Sequence, residues 1–118
     1  MNAKQRQLRH FDYLEHMLTA IDLALSHVDG LSKADFLADK KTQQAVILNI
    51  IVIGEAATQI ADECPVFAAA HPDVPWKQMR GMRNRMAHGY FEINLDVVWD
   101  TVQTSLPLLK KQLLSIRL

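Results

Sequence analysis

Between residues 83 and 90 the chain reads RNRMAHGY. Two guanidiniums, an imidazole, a primary amide and a phenol crowd around two apolar residues. From Lys77 to Tyr90 the chain holds Lys77, Arg80, Arg83, Arg85 and His88, and no acid. Such groups suit work on phosphate. A guanidinium grips two oxygens in one planar fork. An imidazole, titrating at about 6.5 when unperturbed, can take up and return a proton near neutrality. The same residue types also suit a solvated helix surface, and taken alone they leave the two readings level.

Over the whole chain the charges balance. Lys plus Arg number 13, as do Asp plus Glu, so the formal net charge is zero. No global field draws this molecule to nucleic acid or to an acidic membrane, and binding of either must come from local clustering. With 118 residues, 49% apolar, 22% charged, four Gly and four Pro, the expectation is one soluble domain spanning 1–118. A lone cysteine, Cys64, excludes an intrachain disulfide and fits a reducing compartment. The basic start has no apolar core behind it, so no signal peptide is expected. The run AVILNIIVI at 45–53 is about half a membrane span and is broken by Asn49. The expected setting is cytoplasmic, without membrane contact.

The elements that must position the cationic stretch are helices. Leu8, Phe11, Leu14, Leu18, Ile21, Leu25 and Val28 recur at steps of three and four, predicting a helix from about 3 to 29 that Gly30 stops. Ser32 and Asp35 have the spacing of a capping box, opening a short helix with Phe36 and Leu37. A helix from about Asp39 to Cys64 follows, closed by Pro65. It is apolar nearly all round at 45–53, so it needs cover on more than one side, from the bundle or from an oligomer. Residues 65–75, PVFAAAHPDVP, predict a loop with one helical turn. Pro75 suits the first position of a helix from Trp76 to about His88, and Gly89 its end. Asn94 can cap a last helix whose stripe is Leu95, Val98, Val102, Leu106, Leu109, Leu113 and Ile116, with a kink at Pro107. The fold class is all-α: a mostly antiparallel bundle of four main helices plus short ones.

On the helix at 76–88, Met79, Met82 and Met86 share one side as core filler, and Arg80, Asn84 and His88 roughly the opposite side. The block VPWKQMRGMRNRMAHGYFEINLDVVWDT, with VIGEAATQI upstream, resembles the HepT family of HEPN-domain ribonuclease toxins, partners of MntA antitoxins. The specific part is Arg-x4-His-x-Tyr, here Arg83, His88 and Tyr90, with Asn84 of a type the family favours after the arginine. The resemblance implies metal-independent RNA cleavage, in which the ribose 2′-hydroxyl attacks phosphorus and leaves a 2′,3′-cyclic phosphate. DNA, lacking that hydroxyl, would be inert. His88 would move protons and Arg83 would stabilise the charge growing on phosphate oxygens. Asn84 can reach the His88 ring or a phosphate.

Arg83 and His88 are five residues apart, about 140° around an ideal helix, so they do not converge within one chain. The four-residue rule would instead group Arg80, Asn84 and His88, but the family motif places the arginine at 83. The misfit implies a site completed across a two-fold axis in a homodimer, with a second His88 for the second proton transfer. The resemblance further implies that a minimal nucleotidyltransferase antitoxin silences the nuclease by attaching AMP from ATP to Tyr90. The nuclease itself would need no cofactor. Without the family, Tyr90 reads as a half-buried ring packed on Phe91.

Glu55 sits in an apolar helix, where a charge is expensive unless paired. Arg80 or Arg83 can pair with it, to orient the guanidinium or simply to hold helices. His10, His16, His27 and His71 have no metal-ligand spacing and read as surface histidines. Lys40, Lys41, Lys110 and Lys111 read as solvated, and Cys64 as inert. Two other functions fit the helical pattern: a non-catalytic HEPN module serving a separately encoded nucleotidyltransferase, and a plain oligomeric scaffold. The intact pair Arg83 and His88 separates them from a nuclease, since a binding module has no need of both.

Overall fold

A computed structural model describes residues 3–117 and the side chains of 9–116. Leu8, first in the expected stripe, lies outside the described side chains. Helix α1 (Ala3–Val28) ends where Gly30 takes φ +76°, the left-handed turn that glycine adopts without strain. Its inner face carries Leu14, Met17, Ile21, Ala24 and Val28, at alternating steps of three and four. Phe11 departs from the expectation and is exposed. The buried residue of that turn is His10, against which Phe11 sits edge-on.

Helix α2 (Lys33–Leu37) starts with the expected box. The Ser32 hydroxyl accepts from the Asp35 N–H, and the Asp35 carboxylate accepts from the Ser32 N–H. It pins Phe36 in the core, while Leu37 stays exposed. Asp39 then caps α3 (Lys40–Glu63), its carboxylate taken by Thr42 and drawn below the usual carboxylate range. By length and composition α3 could cross a bilayer, yet 56% of its most apolar stretch is buried inside the fold. The cover it requires comes from α1 on one side and α5 (Trp76–His88) on the other.

Side-chain pairs give the directions. Tyr13 and Arg9 near the start of α1 meet Glu63 at the end of α3, so these two helices run antiparallel. Glu55 and Asp62 on α3 meet Arg83 and Arg80 on α5 in reversed order, so that pair is antiparallel too. The connection at 65–75 contains α4 (Pro65–Ala70). Its Phe67 ring stacks on His10 at 3.9 Å, and the Trp76 indole N–H is shared by the carbonyls of Ala68 and His71, each at 3.1 Å. His10 is therefore a buried, stacked histidine and not the surface residue expected. Its stacking partner is 57 residues away, beyond the reach of any local pattern.

The last helix is capped by Asn94, whose side-chain oxygen accepts from the N–H groups of Asp96 and Val97. It runs as α6 (Leu95–Asp100), a five-residue π segment (Thr101–Ser105) and α7 (Leu106–Arg117). The break expected at Pro107 takes the form of this wide turn, one step upstream. Proline has no N–H to give and its ring crowds the carbonyl four residues back, which a wider turn relieves. Widening also keeps the stripe in phase. Two successive four-residue steps, Val98 to Val102 to Leu106, would drift about 80° on an ideal helix, yet all three are buried. Lys110 pairs with Asp22 of α1 at 2.8 Å and so is not simply solvated. The four main helices are thus α1, α3, α5 and the α6–α7 rod, with no strand among the described residues.

Candidate active site

Helix α5 carries the cationic stretch, and its inner side is the three buried methionines Met79, Met82 and Met86. Pro75 sits one residue before the helix, in the capping position, and not at its first turn. What sets the distance of α5 from α3 is Gly54. A Cβ at that position would lie 2.7 Å from the Met79 carbonyl oxygen and 3.2 Å from Arg83 Cγ. Only a residue with no side chain lets the backbones approach this closely.

That approach delivers Arg83 to the acid beside Gly54. Arg83 Nη1 donates to Glu55 Oε2, and Arg83 Nε donates to Asn84 Oδ1 at 2.7 Å. Gln59 Nε2 donates to the other Glu55 oxygen at 3.3 Å. Gln59, Glu55, Arg83 and Asn84 thus form one chain of hydrogen bonds across two helices. The Arg83 side chain is 20% exposed, the most enclosed of the cations on α5 that form ion pairs. The Nη2 edge of its guanidinium has no partner among the described residues and remains available to a phosphate.

The expected contacts are therefore distributed differently. Asn84 holds the arginine beside it and not the His88 ring. Arg80 pairs with Asp62, an acid that sequence reasoning passed over, so of these two arginines only Arg83 pairs with Glu55. Both pairs are open to solvent, and such pairs fix geometry more than they stabilise. His88 ends α5, exposed, and its imidazole has no hydrogen bond to another described residue. It does not meet Arg83 within the chain, as the five-residue spacing anticipates.

Beyond His88 the Gly89 N–H closes the helix on the Arg85 carbonyl at 2.9 Å, and a 3-10 turn (Tyr90–Glu92) follows. Tyr90 is half-exposed, with Gln44 of α3 donating to its hydroxyl at 3.4 Å. Along the outer line of α3, Leu48 and Val52 lie between Gln44, which touches Tyr90, and Glu55, which holds Arg83. Leu48 is 61% exposed. An apolar strip therefore runs between the tyrosine and the arginine of the motif. Arg85 faces the other way, towards a cleft of about 340 Å³ between α5 and the α6–α7 rod. No three His, Cys, Asp or Glu side chains among the described residues are placed to share a metal ion.

The family profile described as "Ribonuclease HepT-like" matches residues 17–116 of this chain. The chain belongs to the HepT-like ribonuclease family. It is 40% identical over 108 residues to "Probable ribonuclease HepT" of Thermococcus cleftensis, covering 92% of this chain and 96% of that protein. It is 36% identical over 104 residues to "Putative RNase TTE0752" of Caldanaerobacter subterraneus subsp. tengcongensis, covering 88% and 90%. No solved structure matches it significantly. The all-α bundle and the motif-bearing α5 thus belong to a HepT-family HEPN ribonuclease.

Proposed function

We propose that this HepT-like chain is the nuclease of a toxin–antitoxin pair, cutting single RNA strands without a metal ion. The observation that carries the reading is the guanidinium of Arg83, held by Glu55 and Asn84 with one edge free, on the helix that ends in an exposed His88. In the proposed reaction the ribose 2′-oxygen bonds to phosphorus as its proton passes to one imidazole. The bond from phosphorus to the 5′-oxygen breaks, and a second imidazole protonates that oxygen. The products are a 2′,3′-cyclic phosphate and a 5′-hydroxyl. Arg83 would grip the non-bridging oxygens as their charge grows, and the two hydrogen bonds already made to it remove the need to reorganise at that moment.

Because one chain offers one His88, the second imidazole comes from a second copy. The apolar strip of Leu48 and Val52, flanked by Tyr90 and Arg83, supports a homodimer whose two-fold axis passes beside the motif. The Tyr90 hydroxyl, accessible at the rim, would attack the α-phosphorus of ATP on a nucleotidyltransferase antitoxin and displace pyrophosphate. The AMP so attached would put bulk and negative charge where the RNA backbone binds.

The test is incubation of wild type and His88→Ala with an oligoribonucleotide, mapping product ends chemically and by sequencing. Wild type should leave 2′,3′-cyclic phosphates, and the variant should lose about a hundredfold or more in rate at unchanged helical content and dimer mass. Undiminished cleavage by His88→Ala would remove the imidazole from the mechanism.

A further inference from the structure

We infer that Phe91 is a stacking platform for an unpaired RNA base beside the bond to be cut, an inference that rests on the nuclease reading above. The residue is 99% exposed. A phenyl ring left wholly in water gains nothing from the hydrophobic effect on folding, so its use lies in what comes to rest on it.

The ring is not on a loose tip. It belongs to the 3-10 turn closed by the Glu92 N–H on the Gly89 carbonyl at 2.9 Å. The Tyr90 ring stands against it at a centroid distance of 5.9 Å with the planes at 78°. An edge-to-face pair at this separation is a modest attraction that favours one mutual orientation of the rings. Phe91 also follows His88 by three residues, at the end of the helix that carries Arg83 and Arg85. The helix before the turn is cationic, with Asn84 and His88 exposed towards its end, and one exposed acid, Glu92, follows the ring.

An apolar ring at the edge of a cationic patch is the combination that receives single-stranded nucleic acid. Phosphates follow the cations while flat base faces lie on the ring. Bases inside a duplex are already stacked on each other, so the platform selects unpaired RNA. Stacking is tolerant of base identity, and the predicted preference is therefore for strandedness and not for sequence.

The experiment uses the full-length protein and two labelled probes that cannot be cut: a 2′-O-methyl octanucleotide and an abasic strand of equal length. Binding is read by fluorescence anisotropy, and dimer mass by sedimentation. Phe91→Ala should weaken the base-bearing probe by roughly ten- to a hundredfold and leave the abasic probe unchanged. Phe91→Trp should restore binding, with indole fluorescence quenched by the base-bearing probe and not by the abasic one. Equal affinity of wild type and Phe91→Ala for the base-bearing probe, or an altered dimer mass in Phe91→Ala, would overturn the proposal. If wild type cuts RNA while Phe91→Ala binds as wild type does, only the stacking role falls. If wild type neither binds nor cuts RNA, the nuclease reading falls and takes this one with it.

Discussion

Arg83 donates from Nε to the amide oxygen of Asn84, the very next residue, at 2.7 Å. A hydrogen bond between sequence neighbours on a helix needs the longer side chain to fold back across the shorter one. The bend is sustained from the far side by Glu55 on α3.

Arg83→Lys keeps the charge and loses both the Nε donor and the fork, so cleavage should fall by about a hundredfold. Asn84→Ala keeps the fork and loosens it, and should cost about tenfold. Single-turnover rates on one oligoribonucleotide would measure both. A lysine variant with near-normal turnover would mean that a point charge suffices.

Gly54→Ala should damage stability and activity together. The added methyl meets the Met79 carbonyl, which is backbone and cannot swing aside, so α5 must move away from α3. Overpacking of this kind destabilises by about 1–3 kcal/mol, visible as a lowered melting temperature. Cleavage should fall at temperatures where the variant is still folded, because Glu55 no longer meets Arg83.

Leu48→Asp, on the apolar strip, should convert dimer to monomer in sedimentation equilibrium and abolish cleavage while circular dichroism stays unchanged. Leu48 is outside the core, so the fold should tolerate the change. A monomeric variant with full activity would show that one chain holds the whole site.

Tyr90→Phe should escape modification. Incubated with the cognate nucleotidyltransferase and ATP, wild type should gain AMP-sized mass on the peptide containing Tyr90, and the variant none. Tyr13 is the informative control. Its phenol bonds to Glu63, and burial followed by that contact pushes its titration above the ordinary value. Mass on the Tyr13 peptide would overturn the assignment.

Stability should fall with acid through His10. Burial first, and the nearby His71 second, hold its imidazole below the ordinary value of 6.5. The unfolded chain therefore takes up the proton at a higher pH than the folded one. The stability His10 contributes is whole above about 6.5 and is lost as pH falls through the folded value. His10→Phe, which can keep the stack on Phe67, should flatten the decline in melting temperature between pH 7.5 and 5. An equal decline in both proteins would place the titrating group elsewhere.

Features closed within one turn or one stripe are legible in the sequence: the box of Ser32 and Asp35, the cap at Asn94, the methionine face of α5. The need for a partner at Glu55 was legible because its neighbours are apolar. Which partner was not. Choosing between Arg80 and Arg83 depends on the offset of α5 along α3, which Gly54 sets through contacts no single helix displays. Asp62, about as exposed as Glu55, gave no signal because it lies past the apolar run of α3 that draws attention to Glu55. His10 looked like surface because Phe67, which covers it, arrives from another element. The HEPN fold and ribonuclease family were legible through the motif itself, whose context around Arg83, His88 and Tyr90 is more specific than any composition.

The wide turn at Thr101–Ser105 makes the last helix a counted object. Its surplus of backbone compensates the drift accumulated between Val98 and Leu106, so removing one residue there would yield a tidier helix and a worse protein. Leu109 and Leu113 would swing out of register by about a quarter turn, stranding apolar weight in water. Irregularity at this point is thus what lets one continuous rod seal the bundle from end to end.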